Sequence, residues 1–314
     1  MSRILTLCLS PALDCATQVA RLCPDIKLRC GAPDYAPGGG AINVARALRR
    51  LGGEALALFP AGGPSGQRLC QLLEAEGVPH RPLAVSGWTR ECFNVLELAG
   101  VHQYRFVLPG AGLSATEQAQ LLAALEALAP FDYLVISGSM PVGLEADYLA
   151  QLLRLARRHG ARTVLDSGPE VLRRGLAEGG LFLIKPNLEE LAALCGVDIL
   201  EPQQLNQVAA QLLDGGRCEA VLVSLGAQGA LLATTELVER IPAPPVKKLS
   251  SVGAGDSLLA ATLLKLAAGR GWAEAVRYGV AAGSAAIMVE GSQLCRLTDT
   301  ERLFDWLQAH HPAR

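Results

Sequence analysis

A chain of 314 residues is longer than a single hydrophobic core usually serves, so it calls for one large α/β domain with an appendage or for two domains. Half of the residues are hydrophobic but only 4% are aromatic, so the core must be built from Ala, Leu and Val, which suits helices packed on a sheet. Lys and Arg total 28 against 30 Asp and Glu, a net charge of −2 with no dense basic run, which excludes nucleic acid as an expected partner.

In chain order, short β-rich runs at residues 4–9, 55–59, 133–137, 162–166, 181–184 and 220–224 alternate with amphipathic stretches at 66–76, 114–128, 145–159 and 203–213. This alternation predicts a doubly wound, mostly parallel α/β sheet whose crossovers are the amphipathic helices. One region breaks the rhythm. Residues 92–98 and 103–107 read as two strands joined by Ala99-Gly100-Val101-His102, a hairpin. With the segment from about 17 to 35 it would form a small β appendage over the strand ends, a lid. From Gly255 the pattern is helical through Gly269, again over 273–289 and again over 299–310, so the chain should close as helices packed on the sheet. The expectation is a single domain over 1–314 with a discontinuous β lid at about 17–35 and 88–107.

Every long apolar stretch is interrupted, as Lys265 interrupts the run after Leu258, and none reaches the roughly 18 residues of a spanning helix. No membrane is expected as a partner. The start of the chain lacks the apolar core of a signal peptide, and nine scattered cysteines without a C-x-x-C pair read as reduced thiols. Both features point to a cytoplasmic protein.

The sharpest chemical signal is Ser251-Val252-Gly253-Ala254-Gly255-Asp256-Ser257, directly before the apolar helical run from Leu258. Two glycines free the backbone to turn its N–H groups toward an anion at a helix N-terminus. Phosphoryl transfer needs such donors, and Asp256 beside them can accept the proton of an attacking hydroxyl. The same residue also reads as an ordinary helix N-cap.

Pro37-Gly38-Gly39-Gly40-Ala41-Ile42-Asn43 opens another helix, and its bare backbone lets a polar ligand approach while Asn43 offers a donor and an acceptor to a sugar hydroxyl. A plain tight turn is the alternative. In Lys185-Pro186-Asn187-Leu188-Glu189-Glu190, Asn187 and Glu190 fall three apart after a buried strand, which suits a hydrated Mg²⁺ and equally a capping box. Ser224-Leu225-Gly226-Ala227-Gln228-Gly229 ends a further strand, so it should line the carboxyl edge of the sheet, where a nucleotide is expected. The sequence has no G-x-x-x-x-G-K-[ST] run and no H-R-D or D-F-G set, which excludes the P-loop and protein-kinase architectures.

The early Gly-Gly-Gly-Ala-Ile-Asn-Val-Ala-Arg segment, the late Val-Gly-Ala-Gly-Asp-Ser segment and the Lys-Pro-Asn-x-x-Glu between them resemble the ribokinase-like (PfkB) carbohydrate kinases. Segments at 27–30, 59–63, 88–90, 104–106, 135–139 and 279–284 extend the resemblance over nearly the whole chain. It implies a ribokinase-like fold and ATP-dependent phosphoryl transfer to a phosphorylated hexose. Fructose 6-phosphate comes first, then tagatose 6-phosphate or fructose 1-phosphate; a non-catalytic sugar-phosphate sensor is the reading from a different class.

The resemblance makes Asp256 the base and the amides of Gly253, Ala254 and Gly255 the anion hole. Asp14, Gly39, Gly40 and Asn43 would hold the sugar, and Asn187 with Glu190 would organise Mg²⁺ around ATP. Lys185, Asn187, Ser224, Leu225, Gly226, Ala227, Gln228, Gly229, Gly283 and Ser284 would surround the nucleotide. Lys27, Arg29, Arg90 and Arg105 fall in the lid segments and Ser139 ends a core strand; so many cations suit a phosphate, which must be paired where a lid excludes water. Ser250, Val252, Ala286, Val289 and Gly291 match a loop that holds a monovalent cation, K⁺, mainly through carbonyls. The exposed edges of a two-stranded lid hairpin predict a homodimer.

Overall fold

The computed structural model describes residues 3–197, 203–250, 252–289, 291 and 293–312. The chain enters on β1 (Ile4–Leu7), buried throughout, and passes into β2 (Ala12–Val19) and β3 (Asp34–Gly38). Then come α1 (Gly40–Arg50), β4 (Ala55–Ala61), α2 (Gly63–Ala75) and β5 (His80–Ala84). β6 (Arg90–Glu97) and β7 (His102–Val107) pair antiparallel as the expected hairpin. Alternation resumes with α3 (Ala115–Glu126), β8 (Tyr133–Ser137), α4 (Tyr148–Arg158), β9 (Arg162–Asp166), α5 (Pro169–Glu178) and β10 (Leu181–Ile184). It continues through α6 (Leu188–Leu194), α7 (Leu205–Gln211), β11 (Cys218–Ser224), β12 (Ala230–Thr234) and β13 (Val238–Ile241). Helices α8 (Ala254–Ala267), α9 (Trp272–Ala286) and α10 (Leu297–His310) close the chain.

Nine strands form one sheet in the order β13-β12-β11-β10-β9-β8-β1-β4-β5. From β11 to β5 all neighbours are parallel, and β12 and β13 are antiparallel additions at one edge. This is the doubly wound, mostly parallel sheet that the alternation predicts. The chain first builds outward from β1 through β4 and β5, then returns to place β8 on the other flank of β1. Strand order therefore reverses at β1, and the crevice beyond the carboxyl ends there is where such sheets bind ligands.

Successive side chains of a strand point to opposite faces, so this sheet feeds two cores. Ile4, Val135, Val164, Leu183 and Leu222 pack with residues of α1, α8, α9 and α10. Leu5, Leu134, Leu165, Ile184 and Val223 pack with residues of α3, α4, α5 and α6. Burial on both faces is why the strand sequences are continuously apolar rather than alternating. Three outer strands, the edges β5 and β13 and their neighbour β12, were not among the expected runs. β5 carries Pro82 and β13 is half exposed, so neither presents an unbroken apolar signature.

A second, four-stranded sheet has the order β3-β2-β6-β7. It starts at Ala12, upstream of residue 17, and residues 20–33 form the connection between β2 and β3. Its register sets Asp14 beside Cys92, and Ala16, Asn94 and Arg105 in one row across β2, β6 and β7, on the same face. The other face carries Tyr35, Cys15, Phe93 and Phe106 in one row across all four strands, then Thr17, Val95 and Tyr104. All nine cysteines are free thiols, and among the described residues no helix is long and apolar enough to cross a membrane.

Candidate active site

The glycine run before α1 exists for close approach. Gly39 has φ +106, and a Cβ there would lie 2.7 Å from Cys8 Sγ; a Cβ on Gly40 would lie 2.4 Å from Ser137 Oγ and 2.8 Å from the Gly138 nitrogen. Bare backbone thus lets α1 begin against the carboxyl ends of β1 and β8. Asn43, one turn into α1, is consequently buried at the reversal point of the sheet.

α8 begins at the same edge. Its N-cap is Gly253, left-handed at φ 73, ψ 4, with no side-chain cap bond, so Asp256 falls three residues into the helix and is not the cap. Asn43 Nδ2 instead donates to Asp256 Oδ2 at 2.9 Å, joining two motifs 213 residues apart. Lys185, just beyond β10, sets its ammonium 2.9 Å from Asp166 Oδ1 at the end of β9, with both side chains nearly enclosed. Ser137 Oγ donates to the other Asp166 oxygen at 3.0 Å. A Cβ on Gly255 would stand 3.3 Å from Lys185 Nζ, so this glycine leaves room for the ammonium beside the first turn of α8.

Burial, reinforced by Asp166, pushes the Asp256 carboxyl up to about 6, against the opposing pull of Lys185, the Asn43 hydrogen bond and Arg105. A carboxylate so placed is ionised at neutral pH yet basic enough to receive a proton. Burial alone would lower Lys185, but Asp166, Asp256 and Glu190 outweigh it and hold the ammonium above its ordinary value.

Asn187 and Glu190 form the capping box that the spacing allowed: Asn187 Oδ1 accepts from the Glu190 nitrogen and Glu190 Oε2 from the Asn187 nitrogen, both at 2.8 Å. Each side chain keeps acceptor capacity beyond those bonds. Burial raises Glu190, and Asp166 and Glu189 push the same way. Asp166, Glu190 and Asp256 thus crowd one ammonium, an excess of negative charge that suits a divalent cation. Among the described residues no three acidic, His or Cys groups form a closed metal cage, so such an ion would complete its shell with phosphate oxygens and water.

Asn187 also bridges Ser224, which brings the Lys185–Glu190 and Ser224–Gly229 segments side by side. Leu225 begins a tight turn closed by its N–H to the Gly229 carbonyl, leaving Gly226, Ala227 and Gln228 exposed. Gly229 is obligatory at φ +94, where a Cβ would strike the Ile241 carbonyl. Gly283 packs α9 against Ala254 and Leu258 of α8, and Ser284 is buried beside it. The loop before α8 is stitched to the one after α9: the Leu249 and Ser250 nitrogens donate to the Ile287 carbonyl, and Ser250 Oγ to that of Gly291. Ser250, Val252, Ala286, Val289 and Gly291 are therefore brought to adjoining loops; Ser251 lies outside the described residues.

On the small sheet, a Cβ at Gly38 would overlap the Asp14 carboxylate, so glycine makes room for it. Burial raises Asp14, opposed by Arg105, Arg46 and Arg90. Arg90 donates to the carbonyls of Leu108 and Ser10 at 3.1 Å each, which ties β6 to two loops, while its Nε is buried without a partner. Arg105 acts on both Asp14 and Asp256. Lys27 and Arg29 are exposed on the 20–33 connection, and Ser139 is exposed just after β8.

The sequence model of the pfkB family carbohydrate kinases matches residues 8–299. The chain belongs to that family. The ATP-dependent 6-phosphofructokinase isozyme 2 of Escherichia coli is 45% identical over 307 residues, spanning 98% of this chain and 99% of that protein. A tagatose-6-phosphate kinase of Staphylococcus epidermidis is 29% identical over 259 residues, 82% of this chain and 83% of its own. The crystal structure of the Escherichia coli phosphofructokinase-2 in complex with fructose-6-phosphate matches with a TM-score of 0.93 at 44% identity, covering 98% of this chain and 100% of the other. Structures of that protein with potassium and in a tetrameric inhibited form match at 0.95 and 0.93 with the same identity and coverage.

In this pfkB family chain, sequence reasoning missed Asp166 and Ser137. The signal for Asp166 was available: it is the acidic residue that closes the apolar run at 162–166, on the edge that the motifs share. Arg46, buried one turn beyond Asn43, was also passed over.

Proposed function

We propose that the chain is an ATP-dependent 6-phosphofructokinase that moves the γ-phosphoryl group of ATP to fructose 6-phosphate and forms fructose 1,6-bisphosphate. The observation that carries this reading is the Asn43–Asp256 hydrogen bond, which sets a near-neutral carboxylate between two glycine-led helix starts at the reversal point of the sheet. Asn43 occupies one Asp256 oxygen, and the other takes the proton of the attacking hydroxyl. The first-turn N–H groups at Gly253, Ala254 and Gly255, which have no helical acceptor, stabilise charge on the group in transfer.

Asp14, Gly39, Gly40 and Asn43 orient the sugar, while Lys27, Arg29, Arg90, Arg105 and Ser139 pair its existing phosphate. Lys185, Asn187, the 224–229 turn, Gly283 and Ser284 surround ATP. Asn187 and Glu190, with Asp166 close by, would hold Mg²⁺, which when bound neutralises phosphate oxygens. The stitched loops at 250–252 and 286–291 suit K⁺, in keeping with the potassium complex of the Escherichia coli relative. The small sheet acts as the lid of a single domain, and its apolar outer row is covered by a second copy in a homodimer, in the cytoplasm.

The 45% relative favours fructose 6-phosphate over the tagatose 6-phosphate of the 29% relative. Initial rates with ATP and each of fructose 6-phosphate, tagatose 6-phosphate, fructose 1-phosphate and fructose decide the matter through kcat/KM. The highest value is expected for fructose 6-phosphate. A higher value for another phosphohexose would transfer the assignment to it, and equal use of fructose would remove the phosphate from recognition.

A further inference from the structure

Behind Asn43 lies a buried guanidinium that the proposed phosphoryl transfer does not itself use. Arg46 stands three residues beyond Asn43 on α1 and is 2% exposed. Its Nε and Nη2 grip the Glu76 carboxylate at the end of α2, at 2.7 and 2.6 Å. Its Nη1 donates to the Pro37 carbonyl at 2.8 Å and to Asn43 Oδ1 at 3.1 Å. The Asn43 amide is therefore held from both sides, by Arg46 at its oxygen and by Asp256 at its nitrogen.

Only one orientation of the amide satisfies both neighbours. A guanidinium can only donate and an ionised carboxylate can only accept. Turned over, Asn43 would point its NH₂ at Arg46 and its oxygen at Asp256, and both bonds would become repulsions. We propose that Arg46, held by Glu76, is a positioning residue of the phosphoryl-transfer site: it fixes the Asn43 amide so that it donates to Asp256 and leaves the second carboxylate oxygen for the substrate hydroxyl. The inference rests on Asp256 as the base. The bond to Pro37 extends the same control to the strand end where Gly38 makes room for Asp14, whose carboxyl also feels the Arg46 charge.

A pair that merely stapled α1 to α2 would affect stability and leave the chemistry of each folded molecule alone. The groups that face Asp256 are Asn43 from α1, Asp166 at the end of β9, Lys185 after β10 and Arg105 from β7. Arg46→Lys keeps the charge but cannot span Glu76 and Asn43 together. It should lower kcat by roughly 10- to 100-fold, the scale of a small misplacement of a reacting group. KM for ATP should stay within about twofold. The acidic limb of the kcat/KM profile should move to higher pH, because the hydrogen bond that favours ionised Asp256 is loosened.

Asn43→Ala should show the same displacement, and adding Arg46→Lys to it should move the acidic limb no further and lower kcat by less than Arg46→Lys does alone, since both reach Asp256 through one bond. If Arg46→Lys does not fold, Glu76→Gln, which weakens the grip without removing the guanidinium, replaces it in the same cycle. An unchanged kcat and pH profile with only a lower Tm, or effects of Arg46→Lys and Asn43→Ala that multiply, overturns the proposal. Asp256→Asn separates the two failures: a near-normal kcat there removes the base itself, whereas a large loss there beside multiplying effects removes only the positioning role.

Discussion

Asp256 combines a position that stabilises its anion, in the first turn of α8, with burial that opposes it, and burial wins. Two consequences follow at this one residue. Asp256→Asn keeps the shape but cannot take a proton, so kcat should fall by roughly 10²- to 10⁴-fold. The wild-type kcat/KM should decline as pH drops through about 6, where the carboxylate is lost, and steady-state rates between pH 4.5 and 8 measure that limb. Stability runs the other way. A carboxyl raised on folding contributes most below its unfolded value, and that contribution is lost as pH rises through about 6. The ligand-free Asp256→Asn protein should therefore melt higher than wild type at pH 8, and the gain should vanish toward pH 4. A variant that retains near-normal kcat would reduce Asp256 to a structural role.

Among the elements, α1 and α8 do most to assemble the site, and glycine governs how close each comes to the sheet. Gly40→Ala would place a methyl group 2.8 Å from the Gly138 nitrogen and against Ser137 Oγ, a contact with backbone that cannot rotate away. α1 must then shift off β8, at a cost of about 1–3 kcal/mol by the usual scale of overpacking. Since Asn43 rides on α1, the shift should also lower kcat for fructose 6-phosphate by more than tenfold, on the scale of an ångström-sized misplacement. Thermal melting and steady-state kinetics on the one variant check both effects; a stable, fully active Gly40→Ala protein would mean that close packing of α1 on β8 does not position Asn43. α6 shows the opposite lesson. Its Asn-x-x-Glu pair is first a capping box, and any metal role is added to that local function.

At the scale of the whole molecule, the outer face of the small sheet is the surface that a second copy would cover. Tyr35, Tyr104 and Phe106 are 38%, 36% and 46% exposed there, a large amount of aromatic surface to leave in water in one patch. Sedimentation velocity at micromolar concentration should show a homodimer, and Phe106→Glu, which sets a charge into the row, should shift it toward monomer. The tetrameric form of the Escherichia coli relative makes a larger assembly the other associated outcome. A wild-type protein that stays monomeric with and without substrates would remove the dimer.

The sequence by itself determined the doubly wound sheet, the hairpin and the glycine-led helix starts, because each is a local matter. Continuous apolar runs mark strands buried on both faces, and residues such as Gly39, Gly229 and Gly253 stand where φ is positive. It also carried the order of motifs that identifies the family. The antiparallel strands β12 and β13 and the start of the small sheet at Ala12 were decided by neighbours in space. So were the partners of Asp256, since Asn43 lies 213 residues away and Asp166 and Lys185 arrive from two other strand ends. Periodicity reports which face a residue is on and not which distant face it meets. Only the folded sheet, by bringing those ends to one edge, turns separate polar residues into a single coupled site.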